Sequence, residues 1–258
     1  MTGKDCVVIG GLGMVGKATM KSLNIPYFFD KKESNITLEE ASKKLFIFFC
    51  LPTPTDERGE QQGIKEVREY IKQIKQYGGR NIFVIRSTVL PGTAKALAEE
   101  LDVMVGSMPE LLSEDTWERD AINPRLTIIG ANDIPTKNAL VALWKPLKSR
   151  STVVTDTTTA EMMKYAFNTF FITKIVYANQ IYDACEQTGA NYKVIREALM
   201  DHPWGSKHHF KVFHKGGRGG GGHCFPKDIK AFSHWSNLEF FKEVDKLNDH
   251  YLHKTKKK

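Results

Sequence analysis

Short apolar runs alternate with segments of helical spacing through the first part of the chain. The apolar runs lie at residues 6–10, 27–30, 46–51, 81–87, 103–106 and 126–130. Several are apolar at almost every position, which is typical of strands covered on both faces of a parallel sheet. Between them lie helical segments, one ending at residue 23 and others at 37–44, 64–76 and 93–101. This alternation predicts a doubly wound α/β domain with a parallel sheet.

The pattern changes near residue 156. Residues 159–186 lack glycine and proline and repeat apolar side chains at helical spacing, which predicts one long helix. Residues 191–200 and 228–252 are predicted to form further helix, separated by a glycine-rich loop. The sequence therefore predicts an α/β domain over residues 1–155 and a helical domain over residues 156–258.

Composition is that of a soluble globular protein. Hydrophobic residues make up 41% of the 258 positions and charged residues 26%, which are ordinary values for that class. The longest apolar stretch, at residues 45–51, is too short to cross a bilayer, and the first residues do not resemble a signal peptide. The formal charge of +7 favours anionic partners. We expect no membrane partner.

The four cysteines, Cys6, Cys50, Cys185 and Cys224, show no paired spacing. This spacing indicates neither a disulfide framework nor a zinc site, so we expect no metal and a reduced, cytoplasmic setting. The lysine-rich end at residues 254–258 contains no interleaved aromatic side chains for base stacking, and we expect no nucleic-acid partner.

A glycine motif, GLGMVG at residues 11–16, follows the first strand and opens a helix. Glycine permits a tight turn and lets the backbone approach a pyrophosphate, which the helix N-terminus attracts. Asp30 ends the second strand, where a carboxylate can accept hydrogen bonds from the adenosine ribose hydroxyls. That carboxylate would repel a 2′-phosphate, so NAD is predicted over NADP, although Lys31 and Lys32 weaken the preference. The first domain is therefore predicted to be a Rossmann-like NAD-binding domain.

One cysteine, Cys224, stands beside a glycine-rich segment, GGRGGGGHCFPKD at residues 216–228. Glycine lets backbone come close to a ligand, and a thiol near Lys227 can be held partly as thiolate, the form that attacks carbonyl carbon. The segment alone is equally consistent with a flexible linker followed by a buried cysteine. We do not expect an RNA-binding element around Arg218, because a single arginine between helices is not a repeated tract.

Five motifs, one of them within this glycine-rich segment, occur in an order and at spacings that one protein family shares. They read LPTPT at residues 51–55, RSTVLPGT at 86–93, MPELLSE at 108–114 followed by Asp120, Pro124 and Arg125, AEMMKYAFN at 160–168, and GGHCFPKD at 221–228. With them, the chain resembles the UDP-glucose/GDP-mannose dehydrogenase family over almost its whole length. The resemblance implies NAD-dependent oxidation of a nucleotide sugar's primary alcohol to a carboxylate in two steps.

The resemblance also implies a role for each side chain of a catalytic set. Cys224 would capture the intermediate aldehyde as a thiohemiacetal, whose loss of hydride gives a thioester. Lys164 and Asn168 lie four residues apart on one helix face and would stabilise the developing oxyanion. Asp228 would position or activate water, and Glu110 is a second candidate base. Taken singly, these side chains also have structural interpretations, such as a surface lysine or a helix N-cap.

Further residues match family positions near the cofactor and the substrate. The predicted cofactor-binding residues are Gly11, Gly13, Met14, Val15, Gly16, Asp30, Pro52, Thr53, Thr88, Glu114 and Lys227. The predicted substrate-binding residues are Glu110, Leu111, Leu112, Lys164, Asn168 and Gly221. The long helix forms a dimer in the family, so we expect a homodimer whose interface includes the apolar side chains Phe167, Phe170, Phe171 and Ile175.

The chain also departs from the family pattern. Family members have a third, C-terminal domain that supplies much of the nucleotide-sugar site. We expect this chain to be a short form lacking that UDP-binding domain, either naturally or because the sequence is truncated. The segment between Asp30 and residue 46 is shorter than in the family, which favours a compacted viral or phage gene. Gly220 replaces a common phenylalanine, so we expect a less packed, more flexible loop. His223 and Met108 replace a serine and an asparagine.

Two other functions stay open. A dehydrogenase of the hydroxyacid or 6-phosphogluconate type would share the fold but would not need Cys224. A non-catalytic NAD-binding remnant would keep the cofactor fold without oxidising a sugar. Binding of NAD without binding of a sugar nucleotide or NADH production would indicate the remnant.

Overall fold

The computed structural model describes residues 1–61, 63–147, 149–214 and 217–254. The chain separates into two compact units, the first formed by Met1–Pro54 with Gln61–Lys164 and the second by Thr55–Glu60 with Tyr165–Lys258. The first unit therefore ends within the long helix. The assignment of residues 1–155 to a cofactor domain and 156–258 to a helical domain remains a prediction.

A sheet of seven strands forms the centre of the first unit in the part that the structure describes. The strands are β1 (Cys6–Ile9), β2 (Phe28–Phe29), β3 (Phe46–Phe49), β4 (Ile82–Ile85), β5 (Met104–Ser107), β6 (Leu126–Ala131) and β7 (Ser151–Thr155). They are ordered β2-β1-β3-β4-β5-β6-β7, and all neighbours are parallel except β5 and β6. This mostly parallel sheet confirms the predicted α/β class.

Helices cover both faces of the sheet. They are α1 (Met14–Leu23), α2 (Leu38–Ser42), α3 (Ile64–Lys75), α4 (Thr93–Leu101), α5 (Trp117–Ile122) and α6 (Ile134–Trp144). Strand β3 shows why its apolar run is continuous. Ile47 and Phe49 join one buried cluster with side chains of α3 and α4, whereas Phe46 and Phe48 join a second cluster with side chains of α6. Successive side chains of a strand point to opposite faces, so both sets must be apolar.

Helices α5 and α6 and strand β7 were not predicted from the sequence. Every position of β7 is exposed or half-buried, so this strand lacks the apolar run that marks the inner strands. Helix α6 does carry start signals, because Asp133 accepts a hydrogen bond from the Thr136 amide at 2.7 Å and Pro135 lies in the first turn. Its apolar positions are not confined to one face, which hides the helical period.

The second unit is built of helices in its described part. They are the remainder of α7 (Thr157–Thr188), α8 (Tyr192–Asp201), α9 (Phe225–Ser236) and α10 (Glu239–Lys254). Ile172 and Val176 of α7 form a buried apolar cluster with Ile229 of α9 and Val244 of α10. Among the described residues of the whole chain, no helix is both long and apolar enough to cross a membrane.

The helical stretch predicted at residues 228–252 is divided into two helices. Helix α9 begins earlier, at Phe225, and ends at Ser236. Asn237 follows with φ 55°, in the left-handed region, and its amide donates to the Ser233 carbonyl at 3.1 Å. Asparagine tolerates this conformation better than most residues other than glycine. Asn237 therefore ends α9 before α10 starts.

A buried carboxylate of α7 caps the start of α4 in the first unit. Glu161 is 2% exposed, and its two oxygens accept hydrogen bonds from the amides of Gly92 at 2.7 Å and Ala94 at 2.8 Å. Burial raises the pKa of Glu161 to about 7, although hydrogen bonds from the amides at the start of α4 oppose that rise. The capping contact therefore titrates close to neutral pH.

This burial predicts a pH-dependent stability. Because the pKa of Glu161 is raised from 4.5 to about 7 on folding, the folded state binds a proton that the unfolded chain has released between those values. The stabilisation is complete below about pH 4.5 and is lost as the pH rises through about 7. We expect wild-type protein to lose on the order of 2–3 kcal/mol relative to Glu161→Gln over that range.

Chemical unfolding of both proteins at several pH values checks this expectation, because glutamine keeps the shape and does not titrate. Parallel pH profiles for the two proteins would contradict it. Relative to Glu161→Gln, which does not titrate either, Glu161→Ala removes the cap altogether and should cost about 2 kcal/mol at any pH in the range.

Candidate active site

The turn between β1 and α1 is built by glycines that have different surroundings. A Cβ on Gly11 would lie 2.5 Å from the Phe28 Cβ, and one on Gly16 would lie 2.2 Å from the Gly10 carbonyl oxygen. Gly13 differs, because its nearest neighbour would be the Gly10 oxygen at 3.7 Å. Gly11 and Gly16 thus permit close packing, whereas Gly13, the N-cap of α1, leaves open space at a helix N-terminus.

An acidic side chain lies beside this turn. Asp30 follows β2, and its Oδ2 accepts a long hydrogen bond from the Leu12 amide at 3.4 Å. Met14 and Val15, two of the predicted cofactor-binding residues, form the first turn of α1. Open space at a helix N-terminus with a carboxylate beside it fits the pyrophosphate and ribose of a dinucleotide.

The loops after β3 and β4 bring two predicted cofactor residues together. Thr53 is buried, and its hydroxyl donates to the Thr88 carbonyl oxygen at 2.7 Å. The side-chain amide of Gln61 donates to the same oxygen at 2.9 Å. Pro52 and Glu114 are both exposed, and Glu114 lies in the turn before α5. The carboxyl ends of adjacent parallel strands meet at one edge of a sheet, which explains the contact between Thr53 and Thr88.

A buried ion pair joins two residues of the predicted catalytic set. The Lys164 ammonium lies 3.0 Å from Glu110 Oε1 and donates to the Glu110 carbonyl oxygen at 2.8 Å. Both side chains are almost fully buried, at 4% and 8% exposure. The other carboxylate oxygen of Glu110 accepts the Leu112 amide at 2.6 Å, so the segment at residues 110–112 is fixed around this pair.

The environment of Glu110 favours its ionised form. Burial by itself would raise the pKa of the carboxyl, but Lys164, the Leu112 amide and Arg86 together lower it below its ordinary value. A carboxylate with a low pKa is a weak proton acceptor near neutral pH. The geometry therefore supports Glu110 more as the partner that orients Lys164 than as a general base.

In the second unit, the predicted nucleophile lies at the start of α9. Cys224 is the N-cap residue of this helix, is half-buried and is not in a disulfide. Its carbonyl oxygen accepts the Asp228 amide at 2.9 Å. A helix N-terminus favours negative charge, so this place suits a thiolate.

The Asp228 carboxylate is held on both sides. It is 1% exposed, accepts a hydrogen bond from the Asn168 amide at 2.5 Å, and forms an ion pair with Lys227. The Lys227 carbonyl oxygen accepts the Thr55 hydroxyl at 3.2 Å. Lys227, predicted to bind the cofactor, is therefore part of the network of polar contacts in the first turn of α9, next to Cys224. Among the described residues, no group of three or more His, Cys, Asp and Glu side chains is arranged to hold a metal ion.

The expectation of an unpacked loop at Gly220 is wrong. Gly220 is buried, its amide donates to Asn248 Oδ1 at 2.6 Å, and its carbonyl oxygen accepts Asn248 Nδ2 at 3.2 Å. A Cβ on Gly220 would lie 3.0 Å from Ile172 Cγ1. Glycine is needed here because the space is already filled. Gly221 and His223, closer to Cys224, are exposed.

Several residues of these networks were not among the predicted site residues, including Gln61 and Thr55. Arg86 hydrogen-bonds the Met108 carbonyl oxygen at 3.1 Å in the first unit, and Arg218 and Asn248 anchor the glycine loop in the second. A charged residue within a buried run, or a lone arginine among glycines, indicates in the sequence that a buried polar contact is needed. The sequence does not indicate which residue makes that contact.

The different surroundings of the motif glycines predict two separable defects. Gly16→Ala should lower the free energy of unfolding by roughly 1–3 kcal/mol, because the methyl group overlaps the Gly10 carbonyl. Gly13→Ala should keep the stability of the wild type but weaken NAD binding about tenfold, because the methyl group occupies the space left for pyrophosphate. Thermal unfolding and calorimetric titration with NAD distinguish the two effects. Unchanged NAD affinity in Gly13→Ala would refute this placement of the cofactor.

Comparison with known proteins identifies the family. Two models of the UDP-glucose/GDP-mannose dehydrogenase family match the chain, the NAD binding domain at residues 30–148 and the central domain at residues 158–250. A UDP-glucose 6-dehydrogenase of Rickettsia conorii is 33% identical over 229 residues, a match that covers 84% of this chain and 52% of that protein. The chain spans about half the length of the curated relatives it matches.

Solved structures agree with the fold. A UDP-glucose dehydrogenase from Pyrobaculum islandicum superposes with a TM-score of 0.77 at 26% identity, covering 95% of this chain and 68% of that one. A 3-hydroxyisobutyrate dehydrogenase of Mycobacterium tuberculosis reaches 0.75 at 11% identity, covering 97% and 94%, and shows the fold alone. The matched NAD binding domain confirms the predicted cofactor. The motifs of the chain and the matches to both domain models show that it belongs to the UDP-glucose/GDP-mannose dehydrogenase family.

Proposed function

We propose that this protein oxidises the primary alcohol of a nucleotide sugar to a carboxylate, with NAD as the oxidant and Cys224 as the nucleophile. The observation that carries the proposal is the arrangement at the start of α9. There a half-buried cysteine precedes an aspartate that Asn168 and Lys227 hold by hydrogen bond and ion pair. The motif residues around it are those by which the chain resembles the family.

The residues of the first unit would hold the cofactor. Backbone amides of the turn at residues 11–16 would bind the pyrophosphate, and Asp30 would accept hydrogen bonds from the adenosine ribose. Bound NAD would supply the hydride acceptor for both oxidations. Roles in cofactor binding for Thr53, Thr88 and Lys227, and likewise for Met14, Val15, Pro52 and Glu114, rest on the family motifs and are part of the proposal.

The second oxidation would use the Cys224 sulfur. The thiolate adds to the aldehyde carbon and forms a carbon–sulfur bond, and the oxyanion takes up a proton to give a thiohemiacetal. Removal of hydride from that carbon and of the hydroxyl proton gives a thioester. Water then adds to the thioester carbonyl, the carbon–sulfur bond breaks, and a carboxylate and the free thiol result. Two molecules of NAD are reduced for each sugar.

Polar side chains would assist these steps. The Lys164 ammonium and the Asn168 amide are donors suited to an oxyanion. Asp228 would orient the hydrolytic water, since it is fixed by Asn168 and Lys227. We assign Glu110 to holding Lys164, with Leu111, Leu112 and Gly221 as neighbours of the substrate.

We also propose a homodimer formed through α7 and a reducing compartment such as the cytoplasm. In the second unit, Phe170 and Tyr177 of α7 are 57% and 49% exposed, and residues seven positions apart lie on one helix face, where a partner helix would cover both. None of the four cysteines forms a disulfide, as expected in a reducing compartment.

Counting NADH tests the proposal. We expect the wild-type protein to produce two NADH per sugar from one member of a panel of UDP- and GDP-sugars. The Cys224→Ala variant should stop at the aldehyde and produce one NADH per sugar, because the thioester cannot form. A hydrazine reagent traps that aldehyde. Cys185→Ala is the matched control, since Cys185 is a buried cysteine of α7 with no assigned role, and it should still yield two.

Other outcomes point to the other functions. Two NADH from Cys224→Ala would contradict the cysteine mechanism, and a 3-hydroxyacid substrate oxidised without Cys224 would indicate a dehydrogenase of that type. NAD binding without NADH from any sugar nucleotide would indicate a non-catalytic protein.

A further inference from the structure

The arginine inside the glycine-rich segment is buried in the second unit. Arg218 is 8% exposed. Its Nε donates to the side-chain oxygen of Asn179 at 2.9 Å, and its Nη2 donates to Asp183 Oδ1 at 2.7 Å and to the Asn179 carbonyl oxygen at 3.2 Å. Asn179 and Asp183 are one turn apart on α7, so the guanidinium fork spans two successive turns of one helix.

Aromatic rings surround the same guanidinium. Its carbon lies 4.6 Å from the centroid of the Tyr251 ring on α10 and 5.2 Å from that of Tyr182 on α7. The Tyr251 hydroxyl also donates to the second oxygen of Asp183 at 3.1 Å. A planar cation can stack and donate in its plane at once, which a lysine ammonium cannot do.

The ionised state of Asp183 is favoured by this setting. Burial would raise the pKa of its carboxyl, but the Arg218 guanidinium, the Tyr251 hydroxyl and Lys254 together lower it. The pKa of Tyr251 rises to about 12, through burial and the neighbouring Asp183. Near neutral pH, the ion pair and the tyrosine donor therefore both persist.

A second anchor follows directly along the loop. Asn248 of α10 is fully buried and holds both the amide and the carbonyl of Gly220. Gly219, between the two anchors, has φ 76°, and a Cβ there would lie 3.2 Å from Asn248 Oδ1 and from Tyr251 Cβ. The backbone at residues 218–220 is thus fixed to α7 and α10, shortly before the cysteine.

We propose that Arg218 and Asn248, with Asn179 and Asp183, form a clamp that positions Cys224 at the N-terminus of α9 and thereby sets the reactivity of its thiol. The inference rests on the proposed role of Cys224 as nucleophile. The clamp residues are positioning residues, because they act on the thiol through the loop. Between the clamp and Cys224 only Gly221, Gly222 and the exposed His223 intervene, so loss of the clamp loosens the chain that leads into the helix end at Cys224.

The pH dependence of Cys224 alkylation measures this positioning without any turnover. Iodoacetamide reacts with thiolate, and peptide mass spectrometry assigns the modified cysteine. In Arg218→Gln, we expect the rate at pH 7 to fall about tenfold, while the rate at high pH, where the thiol is fully ionised, changes less than about twofold. The pH of half-maximal rate should rise by about one unit. Local unfolding alone would instead raise the rate at every pH.

Two further variants and a control sharpen the test. Arg218→Lys keeps the charge but loses the fork and the stacking, so it should recover the wild-type profile only in part. Asn248→Ala removes the second anchor without changing any charge and should shift the profile in the same direction, which keeps the proposal testable if Arg218→Gln fails to fold. Arg196→Gln, a change of an arginine on α8 outside the clamp, should leave the profile unchanged.

Wild-type profiles in folded Arg218→Gln or Asn248→Ala would overturn the clamp, as would equal acceleration at every pH. The result is separable from the proposed function. If no nucleotide sugar is oxidised, the oxidation proposal fails while the alkylation profile still reports on the clamp. If sugar is oxidised, the clamp variants should lower the rate of the second NADH formation more than that of the first, because only the second oxidation needs the thiol.

Discussion

Buried polar side chains need hydrogen-bond partners, and α7 carries several along its length. Within the first unit, Glu161 binds the amides at the start of α4, and Lys164 binds Glu110. Within the second, Asn168 binds Asp228, and Asn179 with Asp183 binds Arg218. Each partner lies on a loop or at the start of a helix, where regular backbone pairing ends. Leaving any of them unpaired costs about 1–3 kcal/mol, so α7 fixes the loops that carry the candidate chemistry.

The sequence predicts those parts of the fold that a local pattern encodes. The continuous apolar run at β3 indicates a strand buried on both faces, and GLGMVG in a strand–turn–helix context indicates the nucleotide turn. Strand β7 was missed because it lies at the edge of the sheet and alternates only weakly. The end of α9 was missed because a single asparagine in the left-handed region ends it, and nothing in the flanking residues marks that choice.

The candidate site is predictable as a set of residues but not as a set of contacts. Family motifs single out Glu110 and Lys164, yet their pairing depends on where β5 and α7 lie in the first unit. Gly220 shows the same limit. In the sequence, Gly220 replaces a larger residue, which predicts a loosely packed loop. In the structure, Ile172 and Asn248, which are distant in the chain, occupy the space that a side chain would need. Glycine therefore marks close packing at Gly16 and Gly220 and open space at Gly13.

The antiparallel pairing of β5 and β6 constrains how many residues separate the start of α7 from Lys164. Strand β7 is parallel to β6 and therefore antiparallel to β5. The C-terminal end of β7 thus lies at the opposite end of the strands from the C-terminal end of β5, and α7 must start there. Glu110 follows β5 at the other edge, so the first turns of α7 must rise far enough to bring Lys164 to it, about 1.5 Å for each residue. One residue inserted between Thr157 and Lys164 would rotate the lysine by about 100° around the helix axis. Evolution can exchange side chains along this stretch far more readily than it can change their number.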